Sequence, residues 1–572
     1  MQVYHFVIRE GVLDSARARF LVRFEGGRVV QPGNRYLVAA APLFPGDYAG
    51  HGRNIVDVKY PHISRNTFNL RVLKLLQMKT IVIGLDGGTW KYVEPMVAEG
   101  LLPNFKKLME ESSYGALHST FPPVTSPAWF CMTTGFKPEH IDLYSFFKFE
   151  GYGLRPVSRL DLPKKQYYDY LNREGLKSVI INLPSTYPPK AIDGLIISGL
   201  FTQSRERAFY PPEKIKDYAE EWEQYRIVYD TLSESKALQN VLDMSDTAKR
   251  RIRLAKKAFE KEEWDHYWLV FSGTDGIGHV AAGHYGLDTK EYGEIKNFYS
   301  IIDDFLGWVL ENKPEDSAIL LVSDHGISAK NKRFYVNRWL RSKGYLAEDF
   351  SEEKRNGEFS HEKGKNLKIG SRLSKLAGYV RKNKLAFKAA KTAKGLVEKA
   401  SGKRVVLGSR RRVNHAESQV FGLAGSYRYG LHLNDSRFPS PKVSEERKKE
   451  IKKELIAALK ELKDEKGPLF EWVKPKEEVY DGEARGGSDV CYMPRDDVIL
   501  ESSLDGDEIL LDVSDEKRGF HSPTGMVLVH GPGIRKGGKL DWKIWDIAPV
   551  VLSLHGIESE CDGDSHPEIR EK

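Results

Sequence analysis

Cysteine is scarce in this chain. Cys131, Cys491 and Cys561 are the three in 572 residues, and they lie far apart with no CxxC pair. That excludes a disulfide framework and a thiolate zinc site, and it fits a reducing, cytoplasmic setting. No apolar run approaches the ~20 residues that a membrane span needs. The N-terminus has no charged segment followed by an apolar core, so no secretory leader is expected. "IGLDGG", near the first strand-like segment, lacks both GxGxxG and GxxxxGK[ST]. Nucleotide folds built on those loops are therefore disfavoured. What the chain does have is an apolar fraction of 40%, enough to bury a sizeable core and to exclude wholesale disorder.

Charge is unevenly spread. The formal net charge is +8, yet residues 363–412 hold 17 Lys and Arg against one acid, Glu398. The remainder therefore carries a net −8, which argues against a general nucleic-acid binder. The basic segment reads as a solvated insertion, with an arm for anionic surfaces or nucleic acid as its alternative role. Residues 1–77 also differ from the rest. They hold 9 Arg and 2 Lys, against 27 Arg and 50 Lys beyond them. Met78 then opens "MKTIVIGLDGG". Residues 1–77 are expected to be an N-terminal extension, upstream of a true start at Met78, with a genuine small N-terminal domain as the alternative.

From Met78 the pattern is α/β. "KTIVIGLDGG", "SVIINLPSTYPP", "DHYWLVFSGTDG", "SAILLVSDHG" and "GMVLVHGPG" are short, apolar and closed by Gly, Pro or Asp. They read as buried strands of a central, mostly parallel sheet. "GLLPNFKKLMEES", "KNFYSIIDDFLGWVLENK" and residues 444–465 have helical spacing and would flank it. The expected organisation is a core from 78–351 with a helical cap insertion at 204–262, a basic insertion at 352–412, and the second part of the core at 413–572. Nothing in the sequence reports the oligomeric state.

Three of the predicted strands end in aspartate: Asp86, Asp275 and Asp324. In open α/β sheets ligands sit outside the carboxyl ends of the strands. Asp324 is followed by His325, and Asp275 by His279 four residues on. Asp oxygen and His nitrogen together suit zinc or a similar divalent ion. Each pair alone is an ordinary loop or cap feature; their recurrence at strand ends is not. His521, in a Gly- and Pro-bounded loop before a strand, joins them, while His284 and His530 read as structural or exposed. "FPPVTSPAWF", residues 121–130, brackets Thr125 and Ser126 with prolines. It reads as a stiff turn through which no ordinary helix runs.

The ordered set "GLDGGTW", "PPVTSPAWFCMTTGF", "TDGIGH", "SDHG" and "GFHSPTG…GPGI" resembles the alkaline phosphatase superfamily, in particular the type I phosphodiesterase/nucleotide pyrophosphatase group and its phosphohydrolase/phosphomutase-like relatives. The resemblance spans about Met78 to Gly563 and implies a mostly parallel sheet with helices on both faces. It implies two divalent metal ions, zinc with manganese or magnesium as alternatives. Asp86, Asp324 and His325 match the ligands of one metal, which also contacts the nucleophile. Asp275, His279 and His521 match those of the other, and Thr125 matches the nucleophile. The implied activity is hydrolysis of a phosphodiester or pyrophosphate in a small, nucleotide-like substrate through a phospho-enzyme. A phosphomonoesterase or phosphomutase is the alternative within the superfamily, and an inactive binding protein the alternative outside it. Nucleotide pyrophosphatases often read T-F-P-N here. This chain has Thr125-Ser126-Pro127-Ala128, so the Asn that would hold a phosphoryl oxygen is missing. Ser126 is the fallback nucleophile.

Overall fold

The computed structural model describes residues 78–229, 236–351, 410–423, 428–482 and 484–571, with the backbone of two short strands near the N-terminus. The chain divides into two units, Met1–Leu76 and Gln77–Lys572. In the first, Val7–Ile8 pairs antiparallel with Val22–Arg23. The remainder of 1–77, and residues 352–409 of the basic insertion, lie outside the described residues. The two ends of that insertion are nevertheless placed: Ser351 pairs with Arg410 and Glu348 with Val413 in an antiparallel ladder.

A nine-stranded sheet forms the centre of the second unit. Its strands in chain order are β1 (Lys79–Leu85), β2 (Ser113–His118), β3 (Ser178–Ile181), β4 (Gly194–Ile197), β5 (Phe209–Tyr210), β6 (His266–Phe271), β7 (Ser317–Val322), β10 (Thr524–His530) and β11 (Lys539–Lys543). A separate pair, β8 (Gly326–Ala329) and β9 (Gly519–Ser522), stands beside it. The order across the sheet is β11-β2-β10-β7-β1-β6-β3-β4-β5. The block β7-β1-β6-β3-β4 is parallel throughout. These strands read as unbroken apolar runs because both of their faces are covered.

Alternation divides the side chains between two cores. Ile81, Ile83 and Leu85 of β1 join one apolar cluster with helices α2 (Pro103–Glu111), α5 (Ala237–Lys261) and α7 (Lys290–Asn312). Val82 joins the other, with α3 (Thr125–Thr134), α4 (Tyr167–Arg173) and α9 (Ile547–Leu554). Helix α5 falls within 204–262, the expected cap insertion. The segment is helical, but Val241, Met244, Leu254 and Phe259 of α5 pack in the same cluster as the sheet. It is a layer of the core.

Two other expectations change. "GMVLVHGPG" supplies β10, which runs antiparallel to both of its neighbours. An apolar run reports burial on two faces, not direction. Direction is set by the connection, and here the chain enters from β9 at the carboxyl edge of the parallel block. The segment 413–572 is also not one continuation of the core. Val420–Gly422, Gly430–Leu433, Phe470–Pro475 and Val490–Pro494 make a separate four-stranded sheet. Helix α8 (Glu445–Lys460) covers it with Ile451, Leu455 and Leu459. The main sheet takes only β10, β11 and α9 from this segment.

Candidate metal centre and nucleophile

Strands β7, β1 and β6 are adjacent and in register, with Val322 beside Gly84 and Phe271 beside Leu85. Their carboxyl ends therefore deliver Asp324-His325, Asp86 and Asp275 to one place. Asp275 lies in the first turn of α6 (Gly273–Ala281), with His279 in its last turn. Their i, i+4 spacing puts both on one face of the helix. Gly278 lets α6 come this close: a Cβ there would meet Ile327 of β8 at 2.5 Å. His521 pairs with Ile327 across the β8–β9 ladder and so reaches the same place.

Asp275, His279 and His521 form one group of potential metal ligands, and Asp86, Asp275 and His325 another. His279 Nε2 and His521 Nε2 lie 3.3 and 3.4 Å from Asp275 Oδ1. His325 Nε2 lies 3.3 Å from Asp324 Oδ2 and 3.7 Å from Asp86 Oδ1. The sequence reading separated two sets of three, Asp86-Asp324-His325 and Asp275-His279-His521. The geometry brings all six together and places Asp275 in both groups. Asp324 stands beside His325 while its other oxygen accepts the Gly87 N–H at 3.0 Å.

The imidazoles share one device. His521 Nδ1 lies 2.8 Å from the Pro123 carbonyl, His325 Nδ1 3.1 Å from that of Gly326, and His279 Nδ1 3.3 Å from that of Gly519. A carbonyl only accepts, so each Nδ1–H donates. Each Nε2 is then left with a lone pair aimed at the carboxylates. Burial, above all, holds His325 and His521 at about 4, so both are neutral, as metal ligands must be.

The carboxylates face the same deficit of positive charge. Asp86 Oδ1, Asp275 Oδ1 and Asp324 Oδ2 are buried with no hydrogen-bond partner among the described residues. Burial, then the charges of Asp324 and Asp275, push Asp86 well above the usual carboxylate range. Burial likewise raises Asp324 to about 7. On Asp275 burial acts upward but is outweighed by His279 and His521, which hold it well below that range. Lone pairs that converge on lone pairs in a dry site are an arrangement that a divalent cation resolves. The donor set, three aspartates and three imidazoles, fits such ions.

Thr125 is the first residue of α3, and its Oγ1 lies 3.3 Å from His325 Nε2. The turn expected at 121–130 is thus the start of a helix. Pro127 is tolerated because the first helical N–H with an acceptor inside the chain is that of Ala128, which donates to Val124 O at 3.0 Å. Ser126 faces elsewhere: its hydroxyl is 2.6 Å from that of Ser185, and both residues are buried. His284 and His530 stand apart from the cluster, beside Thr289 and the Glu111 carbonyl.

Two contributors escaped the sequence reading. Ser185 sits in "NLPSTYPP", a segment in which the sequence singles out no individual residue. Phe520 packs against His279 and His521, with ring centres 5.0 and 4.7 Å away. Its only signal was its place next to His521.

The type I phosphodiesterase / nucleotide pyrophosphatase family model matches residues 80–487, well over half of the chain. That span includes all of the candidate site residues above except Gly519, Phe520 and His521, and it also leaves out His530. Similar solved structures include murine ectonucleotide pyrophosphatase / phosphodiesterase 5, at 13% identity and TM-score 0.46 over 86% of this chain and 100% of that one. They also include the phosphonoacetate hydrolase of Sinorhizobium meliloti 1021 in complex with phosphonoacetate, at 14% identity and TM-score 0.49 over 84% of this chain and 96% of that one. No curated protein matches the chain. The extent of the family match establishes that the chain belongs to the type I phosphodiesterase / nucleotide pyrophosphatase family.

Proposed function

We propose that this protein is a two-metal phosphodiesterase or pyrophosphatase in which Thr125 is the nucleophile. As a member of its family it is a hydrolase acting on phosphoric ester bonds. Asp86, Asp324 and His325 would hold one ion, next to Thr125. Asp275, His279 and His521 would hold the other, with Asp275 near both. Zinc is the ion of choice for mixed carboxylate and imidazole donors, with manganese and magnesium as alternatives. When bound, the ions supply Lewis acidity that favours the threonine alkoxide and neutralises charge on the phosphoryl group.

The chain's own residues do the rest. The Thr125 hydroxyl gives its proton to solvent water, and its oxygen attacks phosphorus in line. The bond to the leaving oxygen breaks and the phosphoryl group rests on Thr125 Oγ1. Water then cleaves that ester and restores the hydroxyl. The observation that carries this reading is the 3.3 Å approach of Thr125 Oγ1 to His325, while the Ser126 hydroxyl is engaged by Ser185. A monoesterase or phosphomutase would use the same residues and remains the second reading. The three cysteines are free, which fits the proposed cytoplasmic location.

Acid-quenched single turnovers of bis(4-nitrophenyl) phosphate by the metal-loaded protein test the scheme. Mass spectrometry should find phosphate on Thr125 in the peptide spanning residues 121–137. Turnover that labels neither Thr125 nor Ser126 would replace the covalent route by direct attack of water.

A further inference from the structure

Arg428 and Tyr429, which lead into the small sheet at Gly430, touch the surroundings of the ligand cluster at two points. Tyr429 sets its ring centre 6.3 Å from that of Phe121, at the head of the turn that carries Thr125. Its neighbour Arg428 holds its guanidinium carbon 4.2 Å from the ring centre of Phe520, a cation–π approach. Phe520 in turn packs on His279 and His521. A guanidinium is thus fixed one aromatic ring away from the residues that would hold the second metal. Arg428 Nη1 also donates to the Leu500 carbonyl at 3.0 Å, which ties the side chain to the strand Val498–Glu501 of a neighbouring three-stranded sheet.

Other charges meet there. Arg333 and Arg518 both act on Arg428 electrostatically, as does Glu501 with the opposite sign. Glu516 binds Arg333 at 2.5 Å and lies 3.9 Å from Arg518. Like charges are gathered only at a cost, and a planar guanidinium is the side chain best shaped for carboxylate or phosphate oxygens. In-line attack from Thr125 sends the leaving oxygen away from the first group of ligands and toward the second. That is the side on which Arg428 stands.

We propose that Arg428 recognises an anionic group on the departing half of the substrate, so that the preferred esters have leaving groups bearing a carboxylate or a further phosphate. The proposal rests on the phosphodiesterase reading above, with Thr125 as nucleophile. It assigns Arg428 to specificity and leaves the chemistry to the metal ligands and Thr125.

The test compares two aryl phosphodiesters, one leaving as 4-nitrophenol and one as 4-hydroxybenzoate, in wild type, Arg428→Met and Arg428→Lys. Arg428→Met should lower kcat/KM for the carboxylated ester at least tenfold more than for the nitrophenyl ester, mainly through KM. Arg428→Lys should recover part of that difference. An equal loss on both esters, or none on either, overturns the proposal. A second measurement needs no variant: 4-carboxyphenylphosphonate should inhibit wild-type turnover of the nitrophenyl ester more tightly than phenylphosphonate, and the gap should shrink with added salt. Equal inhibition constants overturn the assignment while the phosphodiesterase reading stands. A metal-loaded wild type that cleaves neither ester overturns both.

Discussion

The hydroxyls of Ser126 and Ser185 lie 2.6 Å apart in a buried contact, and the neighbouring Thr125 is left to face His325. Thr125→Ala is therefore expected to abolish covalent labelling and to lower turnover by several orders of magnitude. Thr125→Ser should retain part of the activity. Ser126→Ala should still label on Thr125, and it should lose about 1–3 kcal/mol of stability because the Ser185 hydroxyl is left unsatisfied. Acid-quench labelling and urea melts of the three variants give the comparison. Labelling that survives in Thr125→Ala and vanishes in Ser126→Ala would reverse the assignment.

Asp275 belongs to both groups of ligands. Asp275→Ala should thus lower the content of both ions, whereas His279→Ala or His521→Ala should lower only one. Elemental analysis after dialysis against limiting zinc measures this. One ion retained at full occupancy in Asp275→Ala would show that the groups are separate.

Exhaustive chelation should destabilise the protein as well as silence it. Three buried carboxylate oxygens have no hydrogen-bond partner among the described residues, so a bound cation stabilises the folded state by mass action. Zinc or manganese should restore both the melting temperature and turnover. A chelated protein with unchanged melting temperature and full activity would refute the two-metal scheme.

At the opposite edge of the sheet, Thr80 Oγ1 lies 2.7 Å from His266 Nδ1 and 2.8 Å from His555 Nε2. Burial pushes His266 well below its ordinary value and His555 to about 4. Both are neutral when folded and take up protons more readily when unfolded. Their contribution to stability is therefore intact above about 6.5, falls as the pH drops below it, and levels off near 4 for His555. At pH 5 the loss from His555 is about 2 kcal/mol, and His266 adds to it in the same direction. Urea midpoints at pH 7 and pH 5 should fall further for wild type than for His555→Gln, and equal falls would contradict it.

Deleting residues 364–402 should leave folding and hydrolysis of a small aryl phosphodiester nearly intact. The chain on either side of the deleted segment is held by the pairing of Ser351 with Arg410, so the deletion shortens a connection whose ends already meet. Weaker binding to anionic vesicles or RNA would assign the basic segment its proposed role. Loss of the folded state would make it part of the core.

Much of the site was legible because parallel strands end together. Asp86, Asp275 and Asp324 each close an apolar run, and a parallel sheet gathers such ends. The sharing of Asp275 was not legible, since it depends on the register of β6 against β1 and on how closely α6 packs. The direction of β10 was hidden because burial on two faces gives the same run in either direction. The start of α3 was hidden because proline forbids a helix interior but not its first turn. The small sheet left only short strands, too brief for a clear period. The contacts of Arg428 and Tyr429, just before its strand at Gly430, needed coordinates to be seen.

The turn before α3 holds two groups at once: Thr125 faces the first set of ligands, while the Pro123 carbonyl accepts from His521 of the second. Two residues apart in sequence, they link the two sets of ligands through one short stretch of backbone. Any tilt of this turn displaces the Thr125 hydroxyl, the proposed nucleophile, and shifts the carbonyl that orients the His521 imidazole in the same movement. Substitutions here would therefore alter attack and departure jointly, and selection cannot tune one without retuning the other.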